Sequence, residues 1–314
     1  MDVASQDTIG SYCDRMPFTP THIAAAVPIR YVFGSAVPFS ALAIGCMTPD
    51  LGVFFPKLFP YDALHSLRGL LTHCVPAGLA AYYVFHIVLR APLVELFPAR
   101  FAVPLRPIAR NEVDLGLKAI CIATLCVLLG SASHVFWDTF THHSRWGVRT
   151  FPWLREQVFQ SDVLSVPWYR ILQHGSSVVL LPPLAWWAYQ NLTRLGLSAN
   201  LPGADIDSME GVSVSDGDPG CSPGILSEQL DSKPGVSFRV VGFVVMSLIV
   251  MSGMFFVFGR IAHPGWRLEA VVRLSIQNTG AVATVLVLVY CLVWQWLALE
   301  REPEEQQPIT SKES

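Results

Sequence analysis

Long stretches without a single charged residue alternate with short polar intervals along the chain, and the stretches set the architecture. The intervals long enough to cross a bilayer are Tyr31–Pro49, Gly69–Leu89, Ala119–Trp137, Ile171–Thr193, Val240–Gly259 and Leu274–Leu299. A helix needs about 20 mostly apolar residues for that purpose. The pattern therefore predicts an all-α fold, a polytopic transmembrane helical bundle of about six apolar segments. The last two segments are rich in Val, Leu, Met and Phe and lack internal proline. Pro76 and the pair Pro182–Pro183 should kink the second and fourth without breaking them inside a bundle.

The first segment reads differently. Pro38 divides it, Thr19–Ile29 before it is also rather apolar, and Gly34, Ser35 and Pro38 are turn residues. A broken hairpin is expected: Thr21–Val32 runs inward, the chain turns at Gly34–Pro38, and Phe39–Met47 returns. Thr19 or Thr21 would cap its first helix.

The polar intervals divide the chain. Residues 1–15 carry three aspartates and no apolar core of a signal peptide, and read as a disordered leader or an over-extended start. Residues 16–193 form the membrane-embedded helical core. Residues 194–238 are rich in Gly, Ser, Pro and acid and read as an acidic flexible linker. Their spacing lacks the regular EF-hand pattern, so calcium is not expected there. Residues 239–299 hold two further transmembrane helices, and 300–314 a polar tail.

Composition strengthens the membrane reading. Charged residues make up 14% of the chain, against about 25% in soluble domains, so a water-facing surface is hard to build. The net charge of -3 and the lack of any basic run exclude a nucleic-acid partner. The lipid bilayer is the expected surrounding. The 7 cysteines are scattered without a CxxC pair and read as small buried hydrophobes.

Ionisable groups at membrane depth are costly and mark function. Asp50 ends the first segment, His65 precedes the second, His134 and Asp138 end the third, and His174 begins the fourth. In an alternating bundle the ends of odd segments and the starts of even ones share one membrane face. The hairpin would bring His22 to that face as well. Arg90–Lys118 would lie at the other. His134 and Asp138 are one helical turn apart, with His142 continuing their face if the helix persists through Thr139–Thr141. Only one of His142 and His143 can point inward. Such a pair suits half of a divalent-metal site, and equally an intrahelical hydrogen bond. His73 reads as a buried hydrogen-bonded histidine, His86 as interfacial, and His263 as an exposed loop residue.

The motifs Met16-Pro-Phe-Thr-Pro-Thr-His22, Phe39-Ser-Ala-Leu with Thr48-Pro-Asp50, His65-Ser-Leu-Arg-Gly69, Ser133-His-Val-Phe-Trp-Asp-Thr-Phe-Thr-His142 and Gln173-His-Gly-Ser-Ser177 together resemble the domain of unknown function 4184 family, uncharacterised polytopic membrane proteins. In layout that family is similar to the YdjM-type inner-membrane proteins, described as metal-dependent hydrolases. More distantly it is similar to the all-helical zinc-dependent phospholipase C and P1 nuclease group. The resemblance implies His22, Asp50, His65, His134, Asp138, His142 and His174 as metal ligands, with zinc as the expected divalent ion. It implies a bacterial inner (plasma) membrane location. The second motif departs from the YdjM pattern, its second histidine coming only at His73.

The leading expectation is an integral membrane metal-dependent hydrolase acting on phosphoester or lipid substrates. Asp50 or Asp138 would bridge metals or orient the attacking water as the catalytic carboxylate. Arg68 and Arg145 stand near enough in sequence to receive phosphate oxygens, or to serve as interface arginines. The alternatives are a non-enzymatic transporter or ion-binding protein, and a scaffold with a structural metal.

Overall fold

The computed structural model of the protein describes residues 19–160, 165–199 and 268–301, with a few isolated positions at 246–254. The leader, nearly all of the acidic linker and of Val240–Gly259, His263 and the tail beyond 301 lie outside the described residues.

A 3-10 turn at Thr19–Ala25 leads into helix α1 (Ala26–Phe33), and a reversal at Gly34–Ala36 leads into α2 (Phe39–Met47). Gly34 sits at φ 68°, a left-handed conformation that a residue with Cβ adopts only under strain. The broken hairpin thus forms where Gly34 and Pro38 predicted it. The threonine cap does not form. Ala25 occupies the cap position without a side-chain bond, and Thr21 instead shares a hydrogen bond with Ser177 at 3.2 Å.

Helix α3 runs continuously from Leu67 to Val94. Ser66 caps it, its Oγ accepting the Gly69 N–H at 2.9 Å, which fixes His65 just outside the first turn. A π-helical turn at Leu70–Cys74 lies directly before Pro76. The missing proline N–H leaves one upstream carbonyl without its usual partner, and the wider turn absorbs that defect. Helix α4 (Ala99–Arg110) follows, then α5 (Leu117–Thr141), α6 (Trp168–Ala199) and α7 (Leu268–Arg301). A short antiparallel ribbon, β1 (Gln157–Gln160) with β2 (Ser165–Pro167), joins α5 to α6 and departs from the all-α expectation.

Among the described residues, three helices are long and apolar enough to cross a membrane: Leu67–Val94, Leu117–Thr150 and Asn278–Ala298. The expected six are not all confirmed: Val240–Gly259 falls almost wholly outside the described residues, and two others differ for physical reasons. Tyr31–Pro49 is split by its turn. Ile171–Thr193 lies inside the 32-residue α6, but Gln173, His174, Ser176, Ser177, Gln190 and Asn191 dilute its apolar character. Helix α6 also runs to Ala199, past the expected start of the linker at 194.

The core sits where α2 packs on α5, around Ala41, Leu42, Cys46, Ala123, Cys126 and Val127. Two glycines make the approach close. A Cβ on Gly45 would lie 2.5 Å from the Val127 carbonyl oxygen, and one on Gly130 would lie 2.8 Å from Cys46 N. Contact between backbones through small residues is how helices associate where lipid gives no hydrophobic drive. Ser131 Oγ donates to the Gly45 carbonyl at 3.0 Å across the same seam.

At the far end of α3, the Arg90 guanidinium donates to the carbonyls of Ala109 and Asn111, and Arg106 holds Glu95 in a two-pronged ion pair at 2.9 Å. His86 is tied to Ser40 Oγ at 2.9 Å and to Arg90 at 3.0 Å, inside this polar cluster and away from His65. At the opposite end, Arg145 reaches Asp62 Oδ1 at 3.3 Å and the His65 carbonyl at 3.4 Å. Cysteines placed singly at Asp62 and Arg145 should therefore react with an impermeant maleimide from the same side of the membrane. Labelling from opposite sides would contradict the fold.

Candidate metal centre

Four elements converge at one end of the bundle, each for a local reason. Asp50 closes the 3-10 turn Thr48–Asp50 that follows α2, where Pro49 sets the turn and Thr48 Oγ1 donates to the Ile44 carbonyl at 2.7 Å. His65 stands before the Ser66 cap. His134 and Asp138 lie one turn apart in α5, and the helix does persist through Thr141, leaving His142 at its C-cap. His22 comes from the 3-10 turn of the hairpin. All six of these side chains are buried, Asp50 fully so.

The imidazoles are held by their outer nitrogens. His134 Nδ1 lies 2.6 Å from the Cys46 carbonyl, and His65 Nδ1 lies 3.0 Å from the Tyr61 carbonyl. A carbonyl only accepts, so each Nδ1 carries the proton and each Nε2 turns a lone pair inward. This is the orientation metal-bound histidines adopt. Tyr61 stacks on the His65 ring at 3.9 Å and helps to fix it.

The inward atoms meet only one another. His65 Nε2 lies 3.2 Å from Asp138 Oδ2 and 4.0 Å from Asp50 Oδ1. His134 Nε2 lies 3.3 Å from Asp138 Oδ2 and 3.6 Å from Asp50 Oδ1. Both oxygens of Asp50, both of Asp138 and the two Nε2 atoms are buried without a hydrogen-bond partner. With neutral imidazoles this is a pocket of acceptors with no hydrogen among them. Protonating both imidazoles would supply two donors for four carboxylate oxygens, and would still leave oxygens bare in a dry site. A divalent cation would accept lone pairs from three of these side chains at once and neutralise the carboxylate it touches. Bonds of about 2.0–2.1 Å around a tetrahedral ion put neighbouring ligand atoms about 3.3 Å apart, close to the spacings found here. Two groupings could hold an ion: Asp50 with His65 and His134, and His22 with His134 and Asp138.

His22 stacks on His134 with ring centroids 3.7 Å apart, and its Nε2 lies 3.8 Å from Asp138 Oδ1. It sits outside the three spanning helices. Burial, and then the neighbouring His134, push its pKa down to about 3, so its imidazole stays neutral and available as a donor of electrons.

His142 is at the edge. Its Nδ1 lies 3.3 Å from the Asp138 carbonyl and 3.7 Å from Asp138 Oδ2, and its Nε2 lies 3.4 Å from Gln173 Nε2, from which it accepts. It braces Asp138 on the side facing α6. His174 is exposed, and the buried Gln173 takes the inward position on α6. The structure therefore brings His22, Asp50, His65, His134, Asp138 and His142 together and leaves His174 outside. Gln173 and Tyr61 are the contributors that sequence reasoning missed. Gln173 directly precedes His174 in the Gln173-His-Gly-Ser-Ser177 motif. His73 is half-buried and bonded to Thr72 Oγ1 at 2.8 Å, and His143 packs near Tyr169. Arg68 is exposed.

Fold and site together define a helical bundle, with helices long and apolar enough to cross a membrane and a buried His/Asp centre at one end. Residues 16–293 match the family described as Domain of unknown function (DUF4184), and the chain belongs to that family. No curated protein and no solved structure matches the chain.

Proposed function

We propose that the protein is an integral membrane hydrolase that uses a divalent metal, zinc by preference, to cleave phosphoesters. The observation that carries this reading is the set of unpartnered acceptors on Asp50, His65, His134 and Asp138, aimed at one another in a dry pocket. Mixed imidazole and carboxylate donors suit zinc and similar ions better than calcium or magnesium. A bound ion would lower the pKa of a coordinated water to about 7 and stabilise charge on the attacked phosphorus.

The residues have separable tasks. His65 and His134, oriented by the Tyr61 and Cys46 carbonyls, would hold the ion with Asp50. Asp138 turns Oδ2 toward these two and Oδ1 toward His22, so it is the carboxylate placed both to bind the ion and to orient a water on the His22 side. His22 and His134 line the cavity that reaches the centre, so substrate would arrive past them.

A structural metal is the reading to be distinguished. Purified protein reconstituted with zinc should hydrolyse p-nitrophenyl phosphate or bis(p-nitrophenyl) phosphate, and a chelator should stop it. Stoichiometric metal with no turnover on either ester would leave a structural site and remove the hydrolase.

A further inference from the structure

The cavity beside the metal centre has a polar inner end and an apolar mouth. It holds about 350 Å³ between the hairpin, α5 and α6. His22, His134, Gln173 and the Thr21–Ser177 pair line its inner part, whereas Phe136, Trp137 and Leu180 line the outer part. Among the described residues, no Asp, Glu, Lys or Arg lines it. Whatever fills the outer part is therefore uncharged, because an ion there would find no partner.

The mouth opens sideways. Phe136 is 62% exposed, Trp137 37% and Leu180 39%. Phe136 and Trp137 belong to the spanning stretch Leu117–Thr150, whose exposed apolar faces meet hydrocarbon rather than water. Val178, Val179 and Leu181 continue the exposed apolar surface on α6. The depth of the centre is also informative. Asp138 lies three residues before the end of α5 at Thr141, about 5 Å along the axis at 1.5 Å per residue. Trp146 and Trp153, both exposed, follow in the connection to α6, and the exposed Trp168 opens α6; tryptophan favours the headgroup layer. The metal centre thus sits near headgroup level, and its cavity leads toward the acyl chains.

From this geometry we infer that the substrate is a membrane lipid whose hydrocarbon chain enters between α5 and α6, with its phosphoester presented to the metal centre. The inference rests on the hydrolase reading and names its substrate class. A chain in the cavity meets apolar walls, while the ester region meets the Thr21, Ser177 and Gln173 side chains beside His22. Hydrolysis would add water across the P–O bond, leaving one product with the lipid and releasing the other as a phosphate or phosphate ester.

The test uses the full chain in phosphatidylglycerol nanodiscs doped with phosphatidic acid that carries a diazirine in one acyl chain. Irradiation should crosslink the lipid to peptides holding Phe136–Trp137 and Leu180. Filling the cavity from one face of α6, by Ser176→Phe or independently by Leu180→Trp, should cut crosslinking at Phe136–Trp137 several-fold with metal content unchanged. Crosslinks confined to other surfaces, or equal yields in both variants and the wild type, would overturn the lipid assignment. Turnover of a soluble ester without cavity crosslinks would overturn this inference alone. Cavity crosslinks without any turnover would remove the hydrolase and leave a lipid-binding metal protein.

Discussion

Asp138→Ala should empty the metal centre and leave the apoprotein at least as stable as the wild type. Asp138 lies within 4 Å of His22, His65, His134 and His142. Losing a residue that only supports a ligand typically costs about 10–100-fold in metal affinity, and losing Asp138 should exceed that. The effect on the apoprotein has the opposite sign from that of an ordinary buried network. Both carboxylate oxygens lack a hydrogen-bond partner, so removing them relieves an unpaired desolvated charge without breaking a hydrogen bond. A hydrogen-bond or ion-pair network holding the fold would respond differently, with a clear fall in Tm of the metal-free variant. Metal affinity and apo Tm measured together separate the two.

The second large effect needs no change of ligand. Gly130→Leu should abolish metal binding, with Gly130→Ala intermediate. A side chain at Gly130 meets the α2 backbone at Leu42, Gly45 and Cys46, which cannot yield as a flexible side chain would. Overpacking of this kind costs typically 1–3 kcal/mol and shifts backbones. The His134 ring hangs from the Cys46 carbonyl on that same stretch of α2, so parting the helices releases the ring and unseats its Nε2. Leu125→Ala, at a lipid-facing position of α5 that is 64% exposed, should leave metal content unchanged. Equal metal in Gly130→Leu and wild type would show that the α2–α5 contact does not build the site.

Part of this arrangement is legible in the sequence, and the reasons are local. Gly34 and Pro38 carry conformational limits of their own, so the hairpin follows from two residues. The helical spacing of His134 and Asp138 puts them on one face whatever surrounds them. The alternation of segments then gathers Asp50 and His65 at the same end.

What was not legible depends on packing. Gln173 and His174 are neighbours about 100° apart around α6, and only the rotation of that helix against the hairpin decides which one points inward. Counting residues between charges measures length, so it could not tell α6 or the divided hairpin from helices apolar enough to span. The carbonyls of Tyr61 and Cys46, which turn the histidines, leave no trace in residue identity. The stacking of His22 on His134 likewise depends on how the hairpin meets α5.

The most direct measurement is elemental analysis of the detergent-purified full chain, wild type beside His134→Ala, His65→Ala, His73→Ala and His174→Ala. The account predicts a divalent transition metal bound near stoichiometry in the wild type. It should be retained in His73→Ala and His174→Ala and lost in His134→Ala and His65→Ala. Equal metal content across all five proteins, or none in a wild type purified without chelator and then offered zinc, would contradict the metal centre.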